Sequence, residues 1–140
     1  MIRCVIVEDE EIARNVLKSL LAQYCKDVMV CAEAEDVNSG KAMIEAYRPD
    51  LVFLDIEMPG GSGFKLLSSV DKLDFEVVFL TAYDQFAIKA IRHDALDYLL
   101  KPIDPKELIA AVEKVKEAKY KKGLKKQYDS LLKTLNPEQL

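Results

Sequence analysis

The 140-residue sequence contains one histidine, three cysteines and no CxxC pair. It has no Cys/His pair with metal-ligand spacing, so neither a zinc centre nor a thiol redox site is expected. No apolar run approaches the ~18 residues that a membrane-spanning helix needs. The amino terminus runs directly into IRCVIVE, without the pattern of a signal peptide. We therefore expect a soluble cytoplasmic protein with no membrane partner, whose cysteines serve as apolar packing.

Phosphate-binding and acyl-transfer motifs are missing as well. A P-loop needs a Gly-Lys-Ser/Thr triplet, which the chain lacks. The GGSG stretch at 60–63 does not complete a Gly-x-Ser-x-Gly nucleophile elbow, because Phe64 stands where the last glycine is required. The formal net charge of −4 argues against nucleic acid as a direct partner of this segment.

Apolar strand-like runs alternate with segments of helical period. The runs IRCVIV, DVMVCAEA, LVFL, VVFL and DYLL mostly do not alternate with polar residues, which is typical of strands buried on both faces. Helical spacing marks residues 12–24, 42–47, 64–70, 86–91 and 108–115. Five strand–helix units in a chain of one-domain length predict an α/β fold, with a parallel sheet and helices on both faces.

Polar side chains follow four of the five strand-like runs. Glu8 and Asp9 come after the first, Asp55 after the third, Thr81 after the fourth and Lys101 after the fifth. Ligands of such sheets bind at the carboxyl ends of the strands, so we expect these side chains to converge. Neighbouring carboxylates repel one another unless a cation compensates them, and Mg²⁺ prefers oxygen ligands.

This set of residues suits phosphoryl transfer. Asp55 is the candidate nucleophile, which would accept a phosphoryl group as an acyl phosphate. Mg²⁺ and Lys101 would neutralise the charge of the transferred group, and the Thr81 hydroxyl can donate a hydrogen bond to it. The Pro-Gly stretch after Asp55 keeps bulk away from the incoming group and permits a tight bend.

Four segments carry a resemblance to a known family. In order, VIVEDEEIAR, VFLDIEMPGGSG, VVFLTAYDQFA and ALDYLLKPID resemble the motifs of bacterial response-regulator receiver domains of two-component systems, over about residues 1–118. The resemblance implies a flavodoxin-like receiver fold with sheet order 2-1-3-4-5 and an extended C-terminal helix. The stretch TAYDQFAIKAIRHDALDYLLKP is similar to receivers attached to LytTR-type DNA-binding domains.

The resemblance implies a phosphorylation and metal site. Asp55 would be the phospho-acceptor, and Asp9, Asp55 and the backbone carbonyl of Glu57 would bind Mg²⁺. Glu8 would be the outer acidic residue. Many family members have aspartate at that position, but the longer side chain of Glu8 still offers a carboxylate to the metal.

The resemblance also implies a switch. Thr81 and Lys101 would form the switch pair, Tyr98 would be the switch aromatic residue, and the peptide between Lys101 and Pro102 would be cis. A sensor histidine kinase would donate the phosphoryl group. Phosphorylation would then reshape the face made by the fourth helical segment, the fifth strand and the fifth helical segment, where a homodimer is expected. Such a protein is a signalling switch that catalyses only its own phosphotransfer and dephosphorylation.

Some of these residues have simpler alternatives. Asp9 could serve only as a cap of the first helix, and Tyr98 could serve packing alone. His93, the single histidine, is interpreted as an exposed helix-end residue rather than a ligand. Glu57 and Tyr83 are expected to flank the path of attacking water and to tune the lifetime of the phosphorylated state.

Residues 119–140 are interpreted as a helical linker to an output domain outside this chain. Seven lysines lie from Lys114 to Lys126, interrupted by Gly123, and Pro137 is expected to end the helix. Four apolar residues follow at heptad spacing: Leu124, Tyr128, Leu131 and Leu135. A solvated linker, a short dimerising helix and a basic DNA-contacting arm remain open, and DNA contact is expected only through the output domain.

Two other function classes use similar ingredients. A haloacid-dehalogenase-like phosphatase also uses a strand-end aspartate with Mg²⁺, but it needs a second aspartate where Glu57 stands, and a cap domain. A flavin-binding carrier needs a phosphate-cradling loop after the first strand, where EDEE would repel phosphate. A receiver that acts without phosphorylation is disfavoured by the full set of Asp9, Asp55, Thr81 and Lys101.

Overall fold

The computed structural model describes residues 1–70, 74–83 and 95–135. The strands are β1 (Ile2–Val7), β2 (Val28–Ala34), β3 (Leu51–Asp55), β4 (Glu57–Met58), β5 (Gly61–Ser62), β6 (Glu76–Thr81) and β7 (Asp97–Leu100). The helices are α1 (Glu11–Tyr24), α2 (Val37–Tyr47), α3 (Gly63–Ser69) and α4 (Pro105–Thr134). Helix α4 corresponds to the fifth helical segment expected from the sequence. The expected fourth segment, at 86–91, and His93 lie outside the described residues.

Five strands form one parallel sheet in the order β2-β1-β3-β6-β7. Counting these five strands alone, the order is 2-1-3-4-5, so the predicted fold class is confirmed. Strand β3 is buried along its whole length, which explains why its sequence is continuously apolar up to Asp55. A short antiparallel hairpin of β4 and β5, which the sequence did not predict, follows directly.

Helices cover both faces of the sheet, and each face has its own apolar layer. On one face, α1 and α4 contribute buried side chains such as Leu17 and Leu108. On the other, α2 and α3 contribute buried side chains such as Ile44 and Phe64. Successive residues of β1 alternate between the two layers, as the pleat of a strand requires: Cys4 and Ile6 belong to the first, Val5 and Val7 to the second.

Helix α1 turns part of its apolar surface towards solvent. The four-residue steps that start at Ile12 correctly indicate a helix, but Ile12 is 79% exposed and Val16 is 48% exposed. Leu17 and Leu21 are the α1 residues buried against the sheet. Each of them comes one residue after a member of the four-residue series. The buried side of α1 therefore lies about 100° around the helix axis from that series.

A bulge in β2 helps to position α1. Cys31 is an extra residue, because the neighbouring residues of β1 pair with Val30 and Ala32. Val30 therefore packs in the α1–α4 layer and Ala32 in the α2–α3 layer. The bulge turns Glu33 towards α1, where its carboxylate lies 3.3 Å from Nε of Arg14.

Helix α4 is one continuous helix of 30 residues, so the predicted extended C-terminal helix is confirmed. The Asp104 side chain caps it by accepting a hydrogen bond from the N–H of Lys106, with Pro105 in the first turn. Gly123 does not interrupt the helix. The first half packs on the sheet, whereas residues 119–134 are all exposed. Among the described residues, no helix combines the length and the apolar character needed to cross a membrane.

Candidate phosphorylation and metal site

The side chains that follow the sheet strands meet at the carboxyl edge of the sheet. Glu8 comes directly after β1, Asp55 is the last residue of β3, Thr81 is the last of β6 and Lys101 comes directly after β7. Parallel strands all end at the same edge, so residues far apart in the chain become neighbours there. The structure brings the carboxylates and the lysine of this set into contact.

Glu8, Asp9 and Asp55 form an acidic cluster whose carboxylate oxygens lie within 4.8 Å of one another. Glu8 is only 1% exposed, and its Oε2 is buried without a hydrogen-bond partner among the described residues. Burial and the neighbouring Asp55 raise the pKa of Glu8, and burial and the neighbouring Glu8 raise the pKa of Asp9. Such a set of oxygen donors fits Mg²⁺, which would relieve the repulsion and satisfy the orphaned oxygen.

Lys101 partly compensates this negative charge. Its Nζ forms an ion pair with Oε1 of Glu8 and lies 3.4 Å from Oδ2 of Asp55. Burial alone would lower the pKa of Lys101, but the hydrogen bond to Glu8 and the charges of both carboxylates raise it. The ammonium is therefore charged in neutral solution. The Lys101–Pro102 peptide is cis, as the family resemblance implied.

Thr81 lies on β6, which is next to the strand of Asp55, and Tyr98 lies on β7, one strand further along the sheet. Thr81 is buried, and its Oγ1 accepts a hydrogen bond from the N–H of Tyr83 at 3.0 Å. Tyr98 stands opposite Phe79 in the register of β6 and β7, and it contacts the α2–α3 layer while half-buried. The contact agrees with a packing role for Tyr98, and its role as a switch stays a prediction.

The loop after Asp55 packs closely against it. The N–H of Glu57 donates to Oδ1 of Asp55 at 3.2 Å. Gly60 and Gly61 have φ values of 84° and 144°, which glycine adopts without strain. A Cβ on Gly63 would lie 2.6 Å from the carbonyl oxygen of Asp55. The predicted tight bend is therefore the β4–β5 hairpin, with α3 packed directly behind the acidic residue.

Arg14 belongs to this site, although the sequence analysis did not identify it. Its Nη1 donates to the carbonyl oxygen of Glu8 at 2.7 Å and to that of Asp9 at 3.3 Å. Its Nε pairs with Glu33 of β2. Arg14 thus ties the backbone of the acidic loop to α1 and β2. The only sequence signal is a basic residue near the start of the helix that follows the acidic pair.

Asp9 is not the cap of α1. The residue at the cap position is Glu10, and no side-chain hydrogen bond caps this helix. The alternative in which Asp9 serves only as a helix cap is therefore wrong. Its carboxylate belongs to the acidic cluster instead.

The sequence of this chain is similar to those of known proteins. The family model described as response regulator receiver domain matches residues 4–113. An uncharacterized response regulatory protein of Vibrio cholerae is 42% identical over 116 residues, which cover 82% of this chain and 48% of that protein. Sensory transduction protein LytT of Bacillus subtilis is 40% identical over 119 residues, which cover 84% and 49%. The chain thus spans about half the length of these curated relatives.

A solved structure shows the same architecture. The REC domain of AraT, a response regulator from Geobacillus stearothermophilus, is 34% identical, with a TM-score of 0.76. The match covers 87% of this chain and 98% of that one. These similarities agree with the receiver resemblance and give no support to the phosphatase or flavin-carrier alternatives.

Proposed function

The chain belongs to the response regulator receiver family, and from that premise we propose that it accepts a phosphoryl group from a sensor histidine kinase onto Asp55. The observation that carries this proposal is the setting of Asp55. Its side chain is nearly buried, lies beside the Lys101 ammonium and belongs to an acidic cluster that needs a cation. Receiver domains are signalling switches, and this chain catalyses only its own phosphotransfer and dephosphorylation.

The proposed transfer requires a nucleophile and neutralisation of charge. A carboxylate oxygen of Asp55 attacks phosphorus, so that a P–O bond forms as the P–N bond to the donor histidine breaks, and the leaving imidazole takes up a proton. Lys101 neutralises charge on the transferred group, since its Nζ lies 3.4 Å from Asp55 Oδ2. The Thr81 hydroxyl donates a hydrogen bond to a phosphoryl oxygen.

Mg²⁺, when bound, supplies the positive charge that phosphoryl oxygens need during transfer. Asp9, Asp55 and the backbone carbonyl of Glu57 are proposed to hold it, with Glu8 as the outer acidic residue. The unpartnered Oε2 of Glu8 and the close approach of the carboxylates support this assignment. Carboxylates that are buried close together destabilise the folded state unless a cation neutralises them. The folded chain therefore favours binding of a cation.

Phosphorylation is proposed to shift a conformational equilibrium. Thr81 turns towards the phosphoryl group, which requires its hydrogen bond with the N–H of Tyr83 to rearrange. The space that Thr81 leaves admits Tyr98, so the face formed by β7 and α4 changes shape. Two phosphorylated copies are proposed to pair through that face.

The partners follow from the same proposal. Response regulators partner with sensor histidine kinases, and the exposed Ile12 and Val16 on α1, close behind Asp9, offer apolar surface for a protein donor. Residues 1–118 are proposed as the receiver domain and 119–140 as a helical linker. The linker would lead to a LytTR-type output domain that alone contacts DNA, in a cytoplasmic regulator.

Treatment with a small acyl-phosphate donor and Mg²⁺ tests the proposal. Intact mass should rise by one phosphoryl group, the gain should map to Asp55, and the Asp55→Asn variant should show none. Asp129→Asn, which changes an exposed aspartate on α4, should be modified like the wild type. Beryllofluoride with Mg²⁺ should raise the melting temperature only when Asp55 is present. No mass gain at residue 55 would overturn the proposal.

A further inference from the structure

The second half of α4 presents a stripe of apolar side chains to solvent. Every residue from 119 to 134 is exposed. The large apolar side chains there keep between 37% and 67% of their surface accessible. We call the stripe the α4 seam and define it by Tyr120, Leu124, Tyr128 and Leu131. A helix that is solvated on all sides is typically polar all round, so this apolar stripe indicates a contact surface.

We propose that the α4 seam pairs with the α4 seam of a second copy of this chain, as a short parallel coiled coil. From Leu124 to Leu131 the seam residues follow at steps of four and three, which is the spacing of a heptad repeat. Leu135 continues this spacing in the sequence, but it is the extended residue that ends the helix. This pairing is separate from the face proposed to respond to phosphorylation, and it does not depend on Asp55.

The seam lies on the side of α4 opposite to the residues that pack on the sheet. The buried residues of the first half, such as Leu108 and Val115, mark the face of α4 that packs on the sheet. At about 100° per residue, Leu124 and Leu131 lie roughly 160° around the helix axis from that face. Tyr120 and Leu124 also line a cavity with Met1 and Ile2, so a second helix has open access to the seam from Tyr128 onwards.

The helix is already formed before any partner arrives. An isolated peptide of two heptads would be only marginally helical in water. Here α4 is nucleated by its buried first half, and ion pairs from Lys119 to Asp50 and from Lys122 to Glu76 extend its attachment to the domain. Association therefore has to order side chains only, which favours pairing of a segment this short.

The charges of α4 also permit two copies to meet. Five lysines that precede the heptads are paired within the chain: Lys114 with Asp97, Lys116 with Asp27, Lys119 with Asp50, Lys121 with Glu117 and Lys122 with Glu76. In a parallel pairing, the flanking positions bring Gln127 beside Leu132 of the partner subunit. They bring Tyr120 beside Lys125 of the partner subunit, so no like charges face each other at these flanking positions. Lys121, one heptad before Tyr128, would lie near its counterpart in the second copy, and its ion pair with Glu117 partly compensates that charge.

The paired segment is short, so the dimer should be weak and dependent on concentration. A seam of this length buries less than the ~1,200 Å² that stable protein complexes usually bury. A glutamate in the seam should weaken the dimer at least tenfold, because two carboxylates would be desolvated side by side. A glutamate one residue away, on the flank, should leave the dimer unchanged.

Sedimentation equilibrium of the full chain tests the pairing, with Leu131→Glu as the seam variant and Ser130→Glu as its matched control. Circular dichroism checks that α4 stays helical in both. The dimer should persist in Asp55→Asn, so failure here is distinguishable from failure of the phosphorylation proposal. A wild type that is monomeric at every concentration, or equal dissociation constants for the two glutamate variants, overturns the inference.

Cross-linking tests the parallel arrangement. In a Cys31→Ser background, mild oxidation of Leu131→Cys should yield covalent dimers, because a parallel pairing in register sets the two thiols side by side. Ser130→Cys should yield few. A dimer that persists while Leu131→Cys forms no more cross-links than Ser130→Cys overturns the parallel arrangement.

Discussion

Lys101 forms an ion pair with Glu8, although 93 positions separate the two residues in the chain. The pair lies at the edge of the sheet where β1 and β7 both end, and Asp55 is the second carboxylate in reach of the ammonium. One lysine thus faces a cluster of three carboxylates. The remaining negative charge is what makes the site a strong candidate for a divalent cation.

Replacing Lys101 by alanine should destabilise the metal-free protein by about 1–3 kcal/mol, because Glu8 then stays buried without its partner. Mg²⁺ should recover part of this loss, so the rise in melting temperature on adding Mg²⁺ should be larger in Lys101→Ala than in the wild type. Thermal unfolding with and without Mg²⁺ measures this. Lys106→Ala, an exposed lysine on α4, is the control. An equal or smaller Mg²⁺ effect in Lys101→Ala contradicts the expectation.

Asp50 should make stability depend on pH. Burial alone would raise its pKa, but hydrogen bonds from the N–H of Arg3 and the ammonium of Lys119 hold the pKa of Asp50 below its ordinary 3.8. A lowered pKa contributes stability above pH 3.8 that is lost as the pH falls through the folded-state value. Asp50→Asn should therefore reduce the free energy of unfolding by about 1 kcal/mol at pH 7.

This deficit of Asp50→Asn should shrink in acid and vanish well below pH 3.8, because both states of the wild type are then protonated at Asp50. Urea unfolding at a series of pH values measures it. Asp129→Asn, which changes an exposed aspartate of the same helix as Lys119, is the control variant. A deficit that stays constant from neutral to strongly acidic pH argues against the pKa shift as its cause.

The sequence could reveal the sheet and the convergence at its edge because both follow from local patterns. The five strands of the parallel sheet are mostly apolar runs, and residues such as Asp55 and Lys101 stand where a run ends. The bulge at Cys31 and the bond from Arg14 to Glu8 depend instead on how distant segments pack. The β4–β5 hairpin was missed because strands of two residues carry no periodicity.

A methyl group added at Gly63, which packs behind Asp55, should destabilise the folded protein. In Gly63→Ala the new Cβ would lie 2.6 Å from the Asp55 carbonyl oxygen and 2.9 Å from Cγ of Leu54. The expected cost is about 1–3 kcal/mol of overpacking, together with a lower yield of phosphorylated Asp55. Gly123→Ala is the matched control, because nothing lies near its Cβ and alanine favours the helix by about 1 kcal/mol. Equal melting temperatures for the two variants would refute the close-packing argument.

Arg14 should act as a positioning residue for the acidic loop. It bonds to the carbonyl oxygens of Glu8 and Asp9 and also pairs with Glu33. Arg14→Ala should weaken Mg²⁺ binding roughly tenfold, as loss of a supporting contact to metal ligands does. Lys18→Ala removes the other ion pair of Glu33 without touching the loop, so it should leave Mg²⁺ affinity unchanged. Calorimetric titration with Mg²⁺ distinguishes them, and equal affinities would exclude the positioning role.

Glu57 and Tyr83 should set how long Asp55 stays phosphorylated. Their backbone N–H groups donate to Asp55 and to Thr81, and both residues are exposed at the mouth of the site. Removing both side chains, in Glu57→Ala/Tyr83→Ala, should open the path of water to the acyl phosphate. We expect dephosphorylation to become about tenfold faster, which corresponds to ~1.4 kcal/mol in the barrier.

Tyr24→Ala, an exposed tyrosine at the end of α1, controls for loss of an aromatic surface residue. Decay of the phosphorylated protein after removal of the donor gives the rate, and an unaltered rate in the double variant would rule out this role.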